Sequence, residues 1–270
     1  MRLRSSRVIA KLRSGGLATC IRVNLPEPRV VEIAAMCGFD CIWIDMEHAP
    51  NSVTAVENQV RAAKAYDVDT LVRVPRGSYS DLNYPFEMDA AGIMVPHVMS
   101  AADARQIVWQ TRFHPIGRRP LDGGSADGAY CMVSTEEYLE HVNRERFVVV
   151  QIEDPEVMSE LDEIASLPGI DMLFFGPGDF SQGIGSPGQI GHPKVVDARR
   201  HVAEIAREHG KIAGTVGSPE GLASLIGMGY QFISAGADVV GLGRYFRDIA
   251  DAFKEFERVA AGSLERDGSL

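Results

Sequence analysis

A chain of 270 residues with 45% hydrophobic residues, 24% charged residues and a formal net charge of -10 has globular composition, and its field repels nucleic acid and anionic membrane. No Lys/Arg stripe interrupts that acidity and no apolar run approaches membrane-spanning length, so the expected partner is a small molecule, with no nucleic acid and no membrane. The four cysteines, Cys20, Cys37, Cys41 and Cys131, lack CxxC spacing and read as reduced core residues of a cytoplasmic protein.

Residues 1–16 are basic but lack the apolar core of a signal peptide, and are read as an N-terminal extension. From there, short apolar runs alternate with polar loops and stretches of helical periodicity. The predicted strands are Leu17–Val23, Cys41–Asp45, Thr70–Val74, Gly92–Val95, Phe147–Ile152, Met172–Phe175, Ile212–Val216 and Gln231–Ser234. The predicted helices include Pro28–Met36, Ser52–Ala65, Ala101–Thr111, Pro155–Ser166, Val195–His209 and Pro219–Ile226, with Ser52, Ser100 and Ser218 as N-caps. Eight strands alternating with helices predict a single α/β domain over 1–270, a (β/α)8 TIM barrel, with 259–270 as a flexible tail. A doubly wound open sheet is the alternative. Two segments break the rhythm: Arg112–Asn143, a long insertion before strand five, and Gly176–Pro193, read as a glycine-rich loop after strand six. The closing Gly236–Phe246 reads either as an anion-binding nest or as a glycine-rich turn packing the last helix.

Barrel enzymes place their chemistry at the C-terminal ends of the strands, so the polar residues that end each apolar run matter most. Strand two ends in Asp45, Glu47 and His48, and strand three in Arg73. Strand four is preceded by Asp89, strand five ends in Gln151, Glu153 and Asp154, and strand six opens into Gly176–Asp179. Glu153 and Asp179, on adjacent strands, are the candidate ligands of an octahedral cation such as Mg2+ or Mn2+, because like charges brought together need a cation between them. The alternative is that each acid caps the helix after it. His48, with Asp45 and Asp89 available to orient it, is the candidate acid/base, against the plainer reading of an ordinary rim histidine. Arg73, inside an otherwise apolar strand, needs a carboxylate partner, and an anionic substrate is one such partner. None of the five lysines is placed for a Schiff base, and Lys211 begins strand seven at the wrong end.

"IDMEHAPN" (Ile44–Asn51), "LVRVP" (Leu71–Pro75), "MDAAGIMVPHV" (Met88–Val98), "VQIED" (Val150–Asp154) and "FFGPGDFSQGIG" (Phe174–Gly185) together resemble the HpcH/HpaI family of class II pyruvate aldolases. The resemblance implies a homo-oligomeric (β/α)8 barrel, trimeric or hexameric, with C-terminal helices exchanged between subunits. It implies a divalent cation (Mg2+, Mn2+ or Co2+) held by Glu153 and Asp179, with Gln151, Gly178, Asp179 and Arg73 on the substrate. His48 would be the acid/base and Asp89 its carboxylate partner; Arg73 would stabilise the enolate and Asp45 would touch the metal's water. The expected reaction is cleavage of a 4-hydroxy-2-oxo acid to pyruvate and an aldehyde through a metal-bound enolate. Alternatives are a CoA-ester lyase of the citrate lyase β-subunit type and a barrel that binds an oxo acid without catalysis. Met46 stands where the family commonly has a smaller residue. "PIGRRP" (Pro115–Pro120), with Arg119, differs in the loop expected to help choose the aldehyde.

Overall fold

The computed structural model describes residues 3–267, without the side chains of 259–267. Eight parallel strands close into one barrel in chain order, with β8 returning to β1. They are β1 (Ala18–Val23), β2 (Cys41–Asp45), β3 (Asp69–Arg73), β4 (Gly92–Val95), β5 (Phe147–Ile152), β6 (Met172–Phe175), β7 (Ile212–Gly217) and β8 (Phe232–Ala237). The closed barrel replaces the open-sheet alternative. Strands buried on both faces read as unbroken apolar runs, which is why their positions were visible in the sequence.

Alternation along each strand divides the core in two. Ile42, Ile44, Val72, Ile93, Val148, Val150, Leu173 and Phe175 face the surrounding helices. Cys41, Trp43, Leu71, Met94, Phe147, Val149, Met172, Phe174 and Phe232 fill the barrel interior. Trp43 meets Phe174 edge-on at 5.6 Å, and Phe174 meets Phe232 at 6.3 Å, so aromatic rings block the bore.

The helices before β6 are α1 (Arg7–Arg13), α2 (Pro28–Met36), α3 (Val53–Ala65), α4 (Tyr79–Glu87), α5 (Ala101–Thr111), α6 (Thr135–Glu145) and α7 (Leu161–Ser166). After β6 come α8 (Pro177–Gly183), α9 (Pro193–Glu208), α10 (Leu222–Gly227) and α11 (Asp238–Asp267). Ser52 and Ser100 cap α3 and α5 through bonds to Ala55 and Asp103. Ser218 heads a 3-10 turn without a side-chain capping bond, and the helix expected from Pro155 begins as a 3-10 segment.

Five expectations change. The N-terminal extension is a stopper: Val8, Ile9 and Leu12 of α1 pack into the interior cluster, and Asp69 at the foot of β3 accepts from Ser6 Oγ (2.6 Å) and Val8 N (2.9 Å). The supposed glycine loop after strand six opens as helix α8, because Pro177 suits a first helical turn. Gly236–Phe246 is neither nest nor turn but leads into α11, with Gly241 and Gly243 inside that helix. Of the cysteines, all free, Cys37 and Cys131 are exposed and not in the core. The tail expected from 259 is helical as far as Asp267, and residues 268–270 lie outside the described residues. Among the described residues no helix is long and apolar enough to cross a membrane.

Candidate active site

Register sets the site. Asp45 and Arg73 are partners on the last rung of the β2–β3 ladder, and both point into the C-terminal mouth. Asp45 Oδ1 accepts from Arg73 Nε (2.9 Å) and Oδ2 from Nη2 (2.6 Å), while Arg22, from the end of β1, reaches the same carboxylate at 3.1 Å. The Arg73 guanidinium lies over the Trp43 ring at 4.8 Å. Burial opposes the charge on Asp45, but the Arg73 bonds and the two guanidinium charges hold its carboxyl below the usual range. Arg73 therefore meets its burial cost within the protein, through Asp45 and, at 2.9 Å, through Glu47. Of five N–H donors three face these carboxylates, leaving one on each terminal nitrogen for a ligand.

The loop after β2 is folded by local bonds. Asp45 Oδ1 also accepts from Glu47 N (3.1 Å), and Asn51 Nδ2 donates to the Asp45 carbonyl at 2.7 Å. This turn lifts His48 to the lip, 51% exposed, with Nε2 at 3.5 Å from Glu47 Oε2. Glu47 thus sits between Arg73 and His48.

Across the mouth, Glu153 follows β5 and is fully buried. It caps no helix: Oε1 accepts from His97 N at 3.0 Å, and Oε2 accepts from Gln151 Nε2. Burial pushes its carboxyl up to about 7; the His97 N–H and ring oppose that rise, and the charges of Asp179 and Glu47 add to it. Asp179 lies in the first turn of α8, half-buried, behind Pro177 and the exposed Gly178. His97 joins the two halves, with Nδ1 at 3.0 Å from Asp154 Oδ2 and Nε2 at 3.6 Å from Glu47 Oε1. Burial alone would depress its imidazole, but the Asp154 bond and the charges of Glu153, Asp154 and Glu47 hold it above its ordinary value.

Asp89 does not join this site. It precedes β4, at the opposite mouth of the barrel, where it is buried against Arg146 and Lys64. A residue before a strand belongs to the N-terminal face, so within this chain Asp89 is not the partner of His48. Arg119 does not reach the mouth either: it is buried, bonded to Asp127 at 2.8 Å, with Phe113 at 4.8 Å and Phe86 at 5.4 Å from its guanidinium carbon. Three rim residues lacked a sequence-based role. Arg22 and His97 end β1 and β4, where the strand-end rule points, and Glu47 lies within the quoted motif.

The residues beside Glu153 fit a hard cation. The charge of Asp179 adds to the rise of the Glu153 carboxyl, a repulsion that a positive ion would relieve, and Gln151 Oε1 is buried without a hydrogen-bond partner. A β-carbon on Gly176 would fall 2.6 Å from Glu153 Oε2 and 3.0 Å from Gln151 Nε2, so glycine keeps this cradle open. Among the described residues no group of three or more His, Cys, Asp or Glu side chains is placed to hold a metal ion.

A parallel barrel that gathers buried carboxylates, a guanidinium and imidazoles at one mouth has the groups that acid–base chemistry on a small polar molecule requires. Comparison with known proteins specifies it further. The family model described as HpcH/HpaI aldolase/citrate lyase matches residues 19–242. A hydroxypyruvate/pyruvate aldolase from Pseudomonas aeruginosa is 34% identical over 255 residues, covering 94% of this chain and 95% of the relative. A 2-keto-3-deoxy-L-rhamnonate aldolase from Escherichia coli is 32% identical over 85% of this chain and 86% of its own. The crystal structure of an HpcH/HpaI aldolase from Desulfitobacterium hafniense superposes with a TM-score of 0.86 at 29% identity, covering 91% of this chain and 96% of that one. The chain belongs to the HpcH/HpaI aldolase/citrate lyase family.

Proposed function

We infer that the protein is a divalent-metal-dependent aldolase that cleaves a 4-hydroxy-2-oxo acid to pyruvate and an aldehyde. The observation that carries this reading is the convergence of Arg73, Glu47 and His48 from the β2–β3 side with Glu153 and Gln151 from β5 in one mouth, joined through His97. The aldolase names of the relatives support it.

Glu153 and Asp179 would hold the cation, Mg2+, Mn2+ or Co2+. Once bound, that ion supplies electron withdrawal from the 2-oxo acid. Gln151 Oε1, Gly178 at the start of α8 and the two spare Arg73 N–H groups line the cradle for the pyruvate half. In the cleavage, His48 takes the 4-hydroxyl proton, C4 becomes the aldehyde carbon, and the C3–C4 electron pair stays on the pyruvate fragment as its enolate. Arg73 offsets the charge that gathers on the enolate oxygen. Asp45, with both oxygens committed to guanidinium groups, acts by holding Arg73. Glu47 fixes the proton-accepting imidazole beside it.

We place the protein in the cytoplasm as a homo-oligomer, a trimer or hexamer that exchanges α11. The free cysteines support the compartment, and the exposed Val240, Phe246, Phe253 and Phe256 along α11 support the exchange. Two assays test the activity: release of pyruvate from a panel of 4-hydroxy-2-oxo acids, and exchange of pyruvate methyl protons with deuterated water under Mg2+, Mn2+ or Co2+. Neither occurring with any of the three ions would leave an oxo-acid-binding barrel, and cleavage of CoA esters instead would make it a CoA-ester lyase.

A further inference from the structure

His97 stands two residues beyond the end of β4 with a φ of 47°, in the left-handed region that residues bearing a β-carbon avoid unless their surroundings impose it. The surroundings do impose it. The main-chain N–H donates to Glu153 Oε1 at 3.0 Å, the ring Nδ1 bonds Asp154 Oδ2 at 3.0 Å, and Nε2 faces Glu47 Oε1 at 3.6 Å. Among the described residues, the Glu153 oxygen that faces His97 accepts only this main-chain bond, with the ring Nδ1 at 3.7 Å from it, and the other oxygen is engaged by Gln151. Relaxed to an ordinary negative φ, the turn would swing the N–H away and release that oxygen.

We propose that His97 is a positioning residue whose ring, clamped between Asp154 on the β5 rim and Glu47 on the β2 rim, holds the left-handed turn that aims Glu153 at a divalent cation. This rests on the reading of Glu153 as a cation-binding carboxylate. Partners that orient metal ligands typically change metal affinity about 10–100-fold when lost.

The test is the Mn2+ dissociation constant, measured calorimetrically on metal-stripped protein, for wild type, His97→Gly and His97→Asn. Glycine adopts the left-handed turn without strain and keeps the N–H, but removes the clamp. Asparagine tolerates the same backbone and keeps a side-chain donor toward Asp154. The expected result is Mn2+ binding about 10–100-fold weaker in His97→Gly and within about threefold of wild type in His97→Asn, with unchanged melting of the metal-free proteins. Should His97→Gly not fold, Asp154→Ala frees the ring from its other side, with weakening in the same direction expected. Wild-type affinity in His97→Gly, or equal weakening in both position-97 variants, overturns the inference while leaving the cation site standing. A wild-type protein that takes up no Mn2+ overturns the cation site and this inference together.

Discussion

Asp45 and Arg73 face each other at the end of the β2–β3 ladder, and the carboxylate takes the guanidinium through two parallel bonds of 2.9 and 2.6 Å above the Trp43 ring. The fork geometry matters because a lysine ammonium is a point charge and cannot reproduce it. Arg73→Ala is expected to lower kcat about a hundredfold or more, the usual consequence of losing one preorganised donor, and Arg73→Lys to restore little of it. Steady-state pyruvate release checks both, and near-wild-type turnover in Arg73→Ala would remove the residue from the reaction.

Asp45 itself is fully buried between Arg73 and Arg22. Asp45→Ala leaves the buried Arg73 guanidinium with Glu47 as its remaining carboxylate and Nε without its partner, a loss of about 3–5 kcal/mol in unfolding free energy by urea titration. The double variant with Arg73→Ala should recover part of it, and strict additivity would mean that the pair is not coupled.

Gly176 keeps the cation cradle open, and its backbone, at φ -98°, is one that alanine adopts without strain. Gly176→Ala should therefore fold while its methyl displaces the Glu153 carboxylate. Mn2+ affinity is expected to drop at least about tenfold, the lower range for disturbing a metal ligand's support. Unchanged affinity by calorimetry would show that Glu153 does not need this position.

Asp127 joins Arg119 and the Tyr138 hydroxyl at 2.8 Å each, all buried, and pins the segment between α5 and α6. Asp127→Ala should destabilise the fold by about 3–5 kcal/mol and Tyr138→Phe by about 1 kcal/mol. In denaturant titrations Tyr138→Phe ought to shift the midpoint while its preference among aldehydes stays that of wild type. A changed preference would restore the role in aldehyde choice that the sequence suggested for this loop.

His141 accounts for part of the pH dependence. Its Nε2 lies 3.0 Å from the Arg4 carbonyl, near the α1 stopper, and burial, the largest influence, holds its imidazole below the ordinary value of 6.5. The unfolded chain then binds the proton more tightly than the folded one. The stabilisation is fully present above pH 6.5 and is lost as the pH falls through the lower folded value. His141→Gln should flatten the decline of thermal stability on acidification below pH 6.5, and an unaltered slope would assign that decline to other groups.

The amino-acid sequence determined the barrel and most of its mouth. Parallel strands covered on both faces need continuous apolar runs, and a polar residue at the end of such a run has nowhere to go but the rim. Asp45, Glu47, His48, Arg73, Gln151, Glu153 and Asp179 were legible on that ground. Applied to the near end of strand four instead of its far end, the same reasoning produced Asp89 where His97 stands.

What only the tertiary structure decided are the pairings between residues far apart in the chain. Asp89 is neutralised by Arg146 from beyond α6, Arg119 is drawn inward by Asp127 and two aromatic rings, and residues 7–13 become a stopper because Asp69 waits at the foot of β3. Side-chain periodicity and strand-end position are local properties that a sequence carries openly. Which buried charge finds which partner depends on distances that exist only once the barrel has closed.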